Sequence, residues 1–512
     1  MSQLTGSVAC GHTGTATAAV EILRAGGNAA DAAIAGFFAA CVCEPVLASP
    51  GGGGFAMVGF DHRPPRLLDF FTQTPVRCRS VDELDFESVW VDFGSARQEF
   101  HIGWGSVATP GAVRGMFELH RQYASMPMTA LVESAIELIR SGVAVSSQQA
   151  EVLTLVEPIY IGRPGARKIF SSSSEPGRVA RAGEVVAFSD LADFLDTLAR
   201  EGDDLFYRGE FSALVDAGSA SGGGSVCRAD FEAYEAIWRQ PLQTTFRDAT
   251  VWLNPPPSAG GCLVMFALSL LSQLEPLIEE DDYFLAIAEC LDSTNEARLK
   301  STGSQPWPDL DKLFGEEMVE KYSRQLMGHR AAWRGTTHLS VADSQGNSIG
   351  ITVSNGEGCG EVISGTGVMM NNMLGEEDLN PQGFHQWQCD QRMSSMMSPT
   401  IVRMAERMIT LGSGGSNRIR SSILQSIVQM IDRGLAPEQA VLFPRIHLEG
   451  STLNIEGDIA SDVLQKLYDR FPEYNQFDGR NFFFGGVHSV VVTPQDTSGA
   501  GDPRRAGVCM SV

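Results

Sequence analysis

The strongest constraint on this chain is a change of sequence pattern at Gly335. Before Gly335 lies a basic linker, 329–334, and from Thr336 to Asp343 polar and apolar side chains alternate with the period of two that is typical of a β-strand. The cluster Asp343–Asn347 predicts a turn, and a second alternating stretch, Ile349–Ser354, predicts the partner strand of a hairpin. The chain must therefore build a sheet in which Thr336 begins a strand directly after a glycine in a linker.

A threonine in that position can act as a nucleophile if the chain is cut before it. The hydroxyl titrates far above neutral pH and needs an adjacent base, which the α-amine of a new N-terminus supplies with a reference pKa of about 7.7–8.0. An N-to-O acyl shift by the same hydroxyl would perform the cut, and the β-branch restricts χ1 and holds Oγ in place. Gly335-Thr336-Thr337 is also an ordinary way to begin a strand, and the residues alone favour that ordinary interpretation.

Helical patterns precede the hairpin. Thr13–Arg24 has helical spacing and Gly26-Gly27 closes it, while the segment 28–43 is apolar nearly all round, which predicts a buried helix. The four glycines 51–54 indicate close backbone approach or positive φ, and we expect a tight turn in a wall of the site. A further helix is expected from Leu310 to Met327.

A glycine-rich segment after the hairpin is a candidate anion site. We expect a strand at Met408–Leu411, a turn at Gly412–Ser416 and a helix at Arg418–Arg433. Backbone N–H groups of such a turn point towards one place and can bind negative charge.

Composition excludes several classes of partner. The 38 basic and 62 acidic residues give a net charge of −24, which argues against nucleic acid or an anionic membrane as the main partner. The ten cysteines are scattered without a CxxC pair or zinc-type spacing, which favours free thiols in a reducing cytosol. No signal-peptide pattern is visible, and the longest apolar run, 32–43, is about half of the roughly 20 residues that span a bilayer. We expect a soluble, cytoplasmic protein without a metal or an organic cofactor.

The chain resembles the γ-glutamyltransferase family of N-terminal nucleophile hydrolases over nearly its whole length. The stretches that carry the resemblance are, in chain order, Gly27–Ala33, Gly51–Phe55, Pro110–Ala112, Pro255–Gly261, Thr336–Asp343, Asn371–Asn372, Ser394–Thr400, Gly412–Arg418 and Gly501–Arg504. The resemblance implies a mixed α/β fold, a four-layer αββα sandwich of two stacked antiparallel sheets. It also implies a precursor that cuts itself into a large subunit, 1–335, and a small one, 336–512, which stay associated; further oligomerisation is left open.

The resemblance also implies the roles of individual residues. Thr336 matches the nucleophile, released by cleavage after Gly335, and Ser354 matches a supporting hydroxyl. The other matching positions are the oxyanion pair Gly414 and Gly415, the serines Ser394 and Ser395 that hold the substrate carboxylate, and Asn355 near the donor amino group.

Three positions depart from the family pattern. Phe71 stands where the family has an Arg that forks onto the donor α-carboxylate, a strong bidentate contact that Phe does not offer. Met373 stands where an amide is common, and Glu376 stands where an Asp is common, although Glu376 still accepts from an ammonium group. A replacement cation such as Arg77 or Arg392 would be needed, and the short segment between positions 376 and 392 implies an open cleft.

These departures leave three hypotheses. The first is a γ-glutamyl transferase or hydrolase with a rearranged clamp, acting on amides such as glutathione, with an amino acid, a peptide or water as the acceptor. The second is an amidase or acylase of the same fold with a glutaryl- or cephalosporin-type donor. The third is an inactive binding homologue, although the presence of Thr336, Ser354, Gly414 and Gly415 argues against it.

Two reactive side chains near Thr336 have ordinary interpretations. We expect His338 to be a strand residue that packs beside the nucleophile, because the α-amine already supplies a base. We expect Cys359 to be a small packed hydrophobe.

Overall fold

Two antiparallel sheets form the centre of the computed structural model, which describes residues 6–60, 63–92, 97–302, 307–315, 335–380 and 383–512. The larger sheet has seven strands. Their order is Val508–Ser511, Gly6–Cys10, Thr337–Asp343, Ser348–Ser354, Gly53–Gly59, Arg66–Phe70 and Ile237–Arg239. Thr337 pairs with Val353 and Leu339 with Ile351, which confirms the predicted hairpin.

The second sheet has six strands and faces the first. Their order is Thr497–Ala500, Gly486–Val492, Arg407–Gly414, Thr400–Met404, Ala249–Leu253 and Leu242–Phe246. Ser340 in the hairpin donates through Oγ to the carbonyl oxygens of Thr410 and His488, at 3.2 and 3.1 Å. Because both acceptors lie in the six-stranded sheet, these bonds fix one sheet against the other.

Helices cover the sheets and fill the segments between them. Their bounds are Thr13–Arg24, Ala29–Cys43, Ala112–Tyr123, Met128–Ser141, Ser147–Leu155, Glu157–Gly162, Pro164–Phe170, Ser189–Glu201, Asp204–Tyr207, Glu210–Gly222, Arg228–Ala233, Ala259–Leu271, Glu280–Ser301, Leu310–Leu313, Arg418–Ile431, Pro437–Leu442 and Ser461–Arg470. Four small sheets are built from Glu87–Asp92 with Arg97–Ile102, Val143–Ala144 with Val185–Val186, Val362–Ile363 with Val368–Met369, and Ile446–Glu449 with Thr452–Ile455 and Tyr474–Gln476. Within the described ranges, no helix combines the length and the apolar character that crossing a membrane requires.

The first two helices agree with the sequence patterns. The helix Thr13–Arg24 has the predicted bounds, and every residue of Ala29–Cys43 is buried. Asn28 caps the second helix by accepting from the backbone N–H groups of Ala30 and Asp31, while the Asp31 carboxylate accepts from the N–H of Asn28. The capping box therefore fixes where this buried helix begins.

Both predicted glycine turns are wrong in part, for the same physical reason. None of the glycines 51–54 has a positive φ, and the last two begin the strand Gly53–Gly59. A Cβ at Gly54 would lie 2.3 Å from the carbonyl oxygen of Thr352, so glycine here permits close strand contact. Likewise Gly412–Gly414 end the strand Arg407–Gly414, and a Cβ at Gly412 would lie 2.3 Å from the His338 ring.

The segment before the nucleophile is described only in part. A helix is present at Leu310–Leu313 and ends before Phe314, earlier than predicted, and residues 316–334, with the remainder of the predicted helix and the linker 329–334, lie outside the described residues.

Candidate active site

Thr336 lies directly before the strand Thr337–Asp343 and is almost completely buried. Its hydroxyl donates to the carbonyl oxygen of Gly335 at 2.8 Å, and the Ser354 hydroxyl donates to the same oxygen at 2.7 Å. The hairpin register places Ser354 there, because Val353 is opposite Thr337. Two hydroxyl groups thus polarise the carbonyl of the Gly335–Thr336 peptide bond.

Neighbouring groups hold that peptide from other directions. The backbone N–H of Gly335 donates to Glu357 Oε1 at 2.6 Å, and Ser354 Oγ accepts from the N–H of Gly356 at 3.0 Å. On the far side, Arg505 Nη1 donates to the carbonyl oxygen of Thr336 at 3.3 Å. The residue on each side of the bond therefore has a fixed partner.

Arg505 is a site residue that the sequence reasoning missed. Its guanidinium lies 3.8 Å from the centroid of the Phe482 ring, and burial, followed by the charge of Arg418, lowers its pKa to about 9. The signal was present, because Arg505 directly follows the block Gly501–Arg504.

A cavity opens in front of Thr336 and collects most of the predicted binding residues. Phe71, Met373, Glu376, Ser394 and Ser395 line it together with Gly335, Thr336 and Ser354. These residues come from the seven-stranded sheet, from loops and from the segment before strand Thr400–Met404. The fold therefore brings nucleophile, scissile peptide and candidate binding groups to one place.

Three predicted site residues lie elsewhere around the nucleophile. Asn355 is fully buried beside Gly52 and is outside the set of described residues that line the front cavity. A Cβ at Gly414 would lie 1.9 Å from the carbonyl oxygen of Thr336, and Gly414 lines a second cavity, behind the nucleophile. Gly415 has a φ of +117°, which favours glycine, and a Cβ there would lie 3.1 Å from Arg505 Nη2.

Phe71 is fixed in the cavity wall by its ring and by its backbone. The ring stacks on Phe55 with 5.5 Å between centroids, and the carbonyl oxygen accepts from Tyr234 Oη at 2.6 Å and from Arg392 Nη1. Arg392 is buried, with Nε 3.7 Å from Asp69 Oδ1. Arg392 therefore holds the backbone that carries Phe71.

The two suggested replacement cations do not reach the cavity. Arg392 is committed behind Phe71 and Arg77 is exposed, and neither belongs to the set of described residues that line the cavity. The lining contains a different cation, Arg298, from the helix Glu280–Ser301. Sequence reasoning missed Arg298, because no local pattern shows that this helix residue reaches the cavity.

The groups behind Thr336 are buried and hydrogen-bonded. His338 Nδ1 lies 2.8 Å from Thr352 Oγ1, and Nε2 lies 2.9 Å from Ser340 Oγ. Burial, followed by the nearby His488, lowers the pKa of His338 well below its ordinary value. The ring is therefore neutral at physiological pH, and its position confirms a packed strand residue.

Cys359 is also a packed side chain. It is fully buried, and burial raises the pKa of its thiol, which keeps the sulfur protonated and unreactive. This confirms the prediction of a small packed hydrophobe.

A comparison with protein families now defines the class. The family model described as Gamma-glutamyltranspeptidase matches residues 15–512. The chain belongs to the γ-glutamyltranspeptidase family, as the sequence resemblance implies.

The chain is similar to proteins named as glutathione hydrolases and to proteins named as acylases. It is 28% identical to a glutathione hydrolase proenzyme of Escherichia coli strain K12 over 525 aligned positions, covering 95% of this chain and 88% of that protein. It is 27% identical to the Acylase ACY 1 proenzyme of Pseudomonas sp. strain SE83, covering 96% and 90%. The chain is therefore almost equally similar to the glutathione hydrolase proenzyme and to the acylase proenzyme.

Solved structures support the fold. A cephalosporin acylase from Bacillus halodurans superposes with a TM-score of 0.85 at 23% identity, covering 99% of this chain and 96% of that one. The Helicobacter pylori γ-glutamyltranspeptidase superposes with a TM-score of 0.53 at 24% identity, covering 62% and 90%. Both are mixed α/β neighbours of the family type.

Proposed function

We propose that this protein is an autoprocessed acyl transferase and hydrolase that acts on γ-glutamyl amides such as glutathione through an ester on Thr336. The observation that carries the proposal is the pair of hydroxyl groups, from Thr336 and Ser354, on the carbonyl oxygen of Gly335. Family membership and the similarity to glutathione hydrolase proenzymes support it.

In the processing step, Thr336 Oγ1 adds to the carbonyl carbon of Gly335. The Ser354 hydroxyl, already bonded to the carbonyl oxygen, stabilises the negative charge that develops there. The C–N bond then breaks, and the hydroxyl proton goes to the leaving amine. Water hydrolyses the ester, which leaves a carboxylate on Gly335 and a free amine and hydroxyl on Thr336.

In turnover, the new amine of Thr336 accepts the hydroxyl proton as Oγ1 attacks the donor amide. Gly414 and Gly415 supply oxyanion donors, Ser394 and Ser395 hold the donor carboxylate, and Glu376 accepts from the donor ammonium group. Asn355 supports the amino-group side, and Met373 with Phe71 forms the apolar wall. The lining of the front cavity supports the assignments made to Phe71, Met373, Glu376 and the two serines.

Processing gives two chains that stay together. Residues 1–335 and 336–512 contribute adjacent strands to the seven-stranded sheet, because Gly6–Cys10 pairs with Thr337–Asp343. We place these strands in a four-layer αββα sandwich, an assignment supported by the facing sheets and by Gly36, whose Cβ would lie 2.6 Å from Leu339 Cδ2. The protein is proposed to be cytoplasmic, with an amino acid, a peptide or water as the acceptor.

A second candidate is an amidase or acylase with a glutaryl- or cephalosporin-type donor. Phe71, Met373, Met396 and Met397 give the cavity an apolar wall that suits an acyl chain. The similarity to Acylase ACY 1 proenzyme supports this candidate. The third candidate, an inactive binding homologue, would leave the chain uncut.

One experiment tests the proposal. Purified protein is incubated with γ-glutamyl-p-nitroanilide, with and without an acceptor dipeptide, and with glutaryl-p-nitroanilide, while gels follow the chain. We expect two fragments, of 335 and 177 residues, and faster release from the γ-glutamyl compound. Preference for the glutaryl compound would establish the acylase instead, and an uncut chain that binds glutathione without turnover would establish the binding homologue.

A further inference from the structure

One cation is available to a ligand in the front cavity. Arg298 is the only lysine or arginine among the described residues that line it, and its guanidinium forms no hydrogen bond with any described residue. Thr336, Ser394 and Ser395 line the same cavity. A carboxylate held near the two serines therefore shares the cavity with one guanidinium whose donors no described residue uses.

The acids near Arg298 already have other partners. Asp378 accepts from Ser416 Oγ at 2.8 Å, and Glu449 accepts from His447 Nε2 and from Asn417 Nδ2, each at 2.7 Å. Asp378 lines the same cavity, and no hydrogen bond among the described residues joins either carboxylate to the planar fork of Arg298, so the fork can bind a carboxylate that enters from outside.

We infer that Arg298 binds the α-carboxylate of the donor and takes the role of the cation that is absent at Phe71. The inference rests on the proposed function. Glu376, in the same lining, accepts from the α-ammonium group, so the cavity recognises both charges of a γ-glutamyl donor. The substrate class is then a zwitterionic γ-glutamyl amide rather than an acyl chain with a carboxylate alone.

The test uses three anilides that differ by one charged group. γ-Glutamyl-p-nitroanilide carries both groups, glutaryl-p-nitroanilide lacks the ammonium group, and 4-aminobutanoyl-p-nitroanilide lacks the carboxylate. Arg298→Met should lower kcat/KM about 10- to 100-fold for the two donors with a carboxylate and leave the third within about twofold. Arg298→Lys should recover part of the loss, since a point charge replaces the fork.

Matched variants separate this inference from the proposed function. Arg77→Met removes an exposed arginine and should leave all three rates unchanged, while Glu376→Gln should spare only the glutaryl donor. If Arg298→Met lowers all three rates equally, or lowers none, the assignment of the carboxylate to Arg298 is overturned. If the wild-type chain hydrolyses none of the anilides, the proposed function itself fails.

A second, independent observation concerns two cysteines. Cys78 Sγ and Cys389 Sγ lie 2.8 Å apart, and both residues are exposed. Hydrogen bonds join the segments that carry them, from Thr74 N to the carbonyl oxygen of Gln391 at 2.9 Å and from Asp390 N to that of Pro75 at 3.1 Å. The backbone thus holds the two thiols face to face near the segment that carries Phe71.

We propose that Cys78 and Cys389 form a reversible disulfide, with a small-molecule disulfide such as oxidised glutathione as the oxidant. One thiolate attacks the oxidant, and a mixed disulfide forms as one glutathione thiolate leaves. The second thiolate then attacks the protein sulfur, and the second glutathione thiolate leaves. The protein thiols lose two electrons and two protons, and the oxidant becomes two glutathione molecules.

Cleavage at Gly335 gives this bond a direct readout, because the two cysteines fall on different fragments. After treatment with excess oxidised glutathione, the wild-type protein should run as one linked species on a denaturing gel without reductant and as two fragments with it. Cys78→Ser should abolish the link, and Cys227→Ser, a partly exposed control, should not. Peptide mapping of the uncut Thr336→Ala chain gives the same answer without processing. Free Cys78 and Cys389 peptides after oxidation would overturn the proposal.

Discussion

The two sides of Thr336 differ in construction. Behind it, the His338 ring in its strand lies against Thr352 Oγ1, buried Glu44 accepts from Thr337 Oγ1, and buried Arg505 donates to the carbonyl oxygen of Thr336. In front of it, the cavity lining combines Phe71, whose ring stacks on Phe55, with the cation Arg298, whose guanidinium has no hydrogen-bond partner among the described residues. The rear side fixes how the nucleophile is held, and the front side determines which donor it meets.

Because of this difference, the residues that hold the nucleophile and the residues that recognise the substrate can change independently. A change behind Thr336 would move the nucleophile or leave a buried polar group unpaired, so few side chains are tolerated there. A change in front exchanges one recognition group for another and leaves the backbone in place. Activity and selectivity should therefore respond to different mutations.

The largest effect is expected from Gly414→Ala on the rear side. The new Cβ would lie 1.9 Å from the carbonyl oxygen of Thr336, so the nucleophile must move, and a shift of about 1 Å can cost about 100-fold in rate. We expect cleavage and anilide hydrolysis each to fall at least that far, measured by gel and by absorbance. Gly162→Ala, where a Cβ meets nothing within 4 Å, is the matched control. Normal activity in Gly414→Ala would show that the rear side is not rigid.

A smaller effect is expected from Ser354→Ala. Loss of one of the two donors to the carbonyl oxygen of Gly335 should slow cleavage about 100-fold, the magnitude seen when one oxyanion donor is removed. Ser354→Thr keeps the hydroxyl and should cleave at close to the wild-type rate. The measurement is a time course of fragment appearance after purification, and equal rates for Ser354→Ala and wild type would remove Ser354 from the mechanism.

The sequence predicted the residues that hold Thr336 better than the residues that line the cavity in front of it. The alternation at 336–354 predicts the strands and the hairpin, and the meeting of Thr336 with Ser354, which the family resemblance implied, follows from the observed register. Recognition residues in front come from distant segments, and no local pattern shows that Arg298 on a helix reaches the cavity while Arg392 turns away from it. Close approach of strands, which explains the glycines at 51–54, likewise depends on neighbours that are distant in sequence.

Arg392→Met distinguishes support of Phe71 from substrate binding. Asp69 keeps Arg239 Nε at 2.7 Å, so the main loss is the buried donor to the carbonyl oxygen of Phe71, and losing such a buried, charged donor costs about 1–3 kcal/mol of unfolding free energy. Urea unfolding should show this loss. The ratio of kcat/KM between the γ-glutamyl and 4-aminobutanoyl anilides should stay unchanged in the folded variant, and a collapse of that ratio would place Arg392 in the donor site.

The smallest effect is a pH dependence of stability from two buried histidines, one in the strand Gly486–Val492 and one in the strand Ile446–Glu449. Burial lowers the pKa of His488 and of His447 to about 4, compared with about 6.5 in an unfolded chain. Between these values the unfolded state binds more protons, so stability is full above pH 6.5 and falls as the pH drops towards 4. At pH 5 each histidine should cost about 1–2 kcal/mol relative to pH 7.

Urea unfolding of the uncut Thr336→Ala chain at the two pH values measures this loss. His488→Gln should have a shallower pH dependence than its parent. An equal slope in both chains would show that His488 is not the titrating group.

The most direct test of the central claim is the N-terminal sequence of the smaller fragment in freshly purified wild-type protein, with Thr336→Ala in parallel. The account predicts a fragment of 177 residues that begins at Thr336, and a single uncut chain without activity in the variant. A fragment that begins elsewhere, or an uncut wild-type chain that still hydrolyses γ-glutamyl-p-nitroanilide, would contradict it.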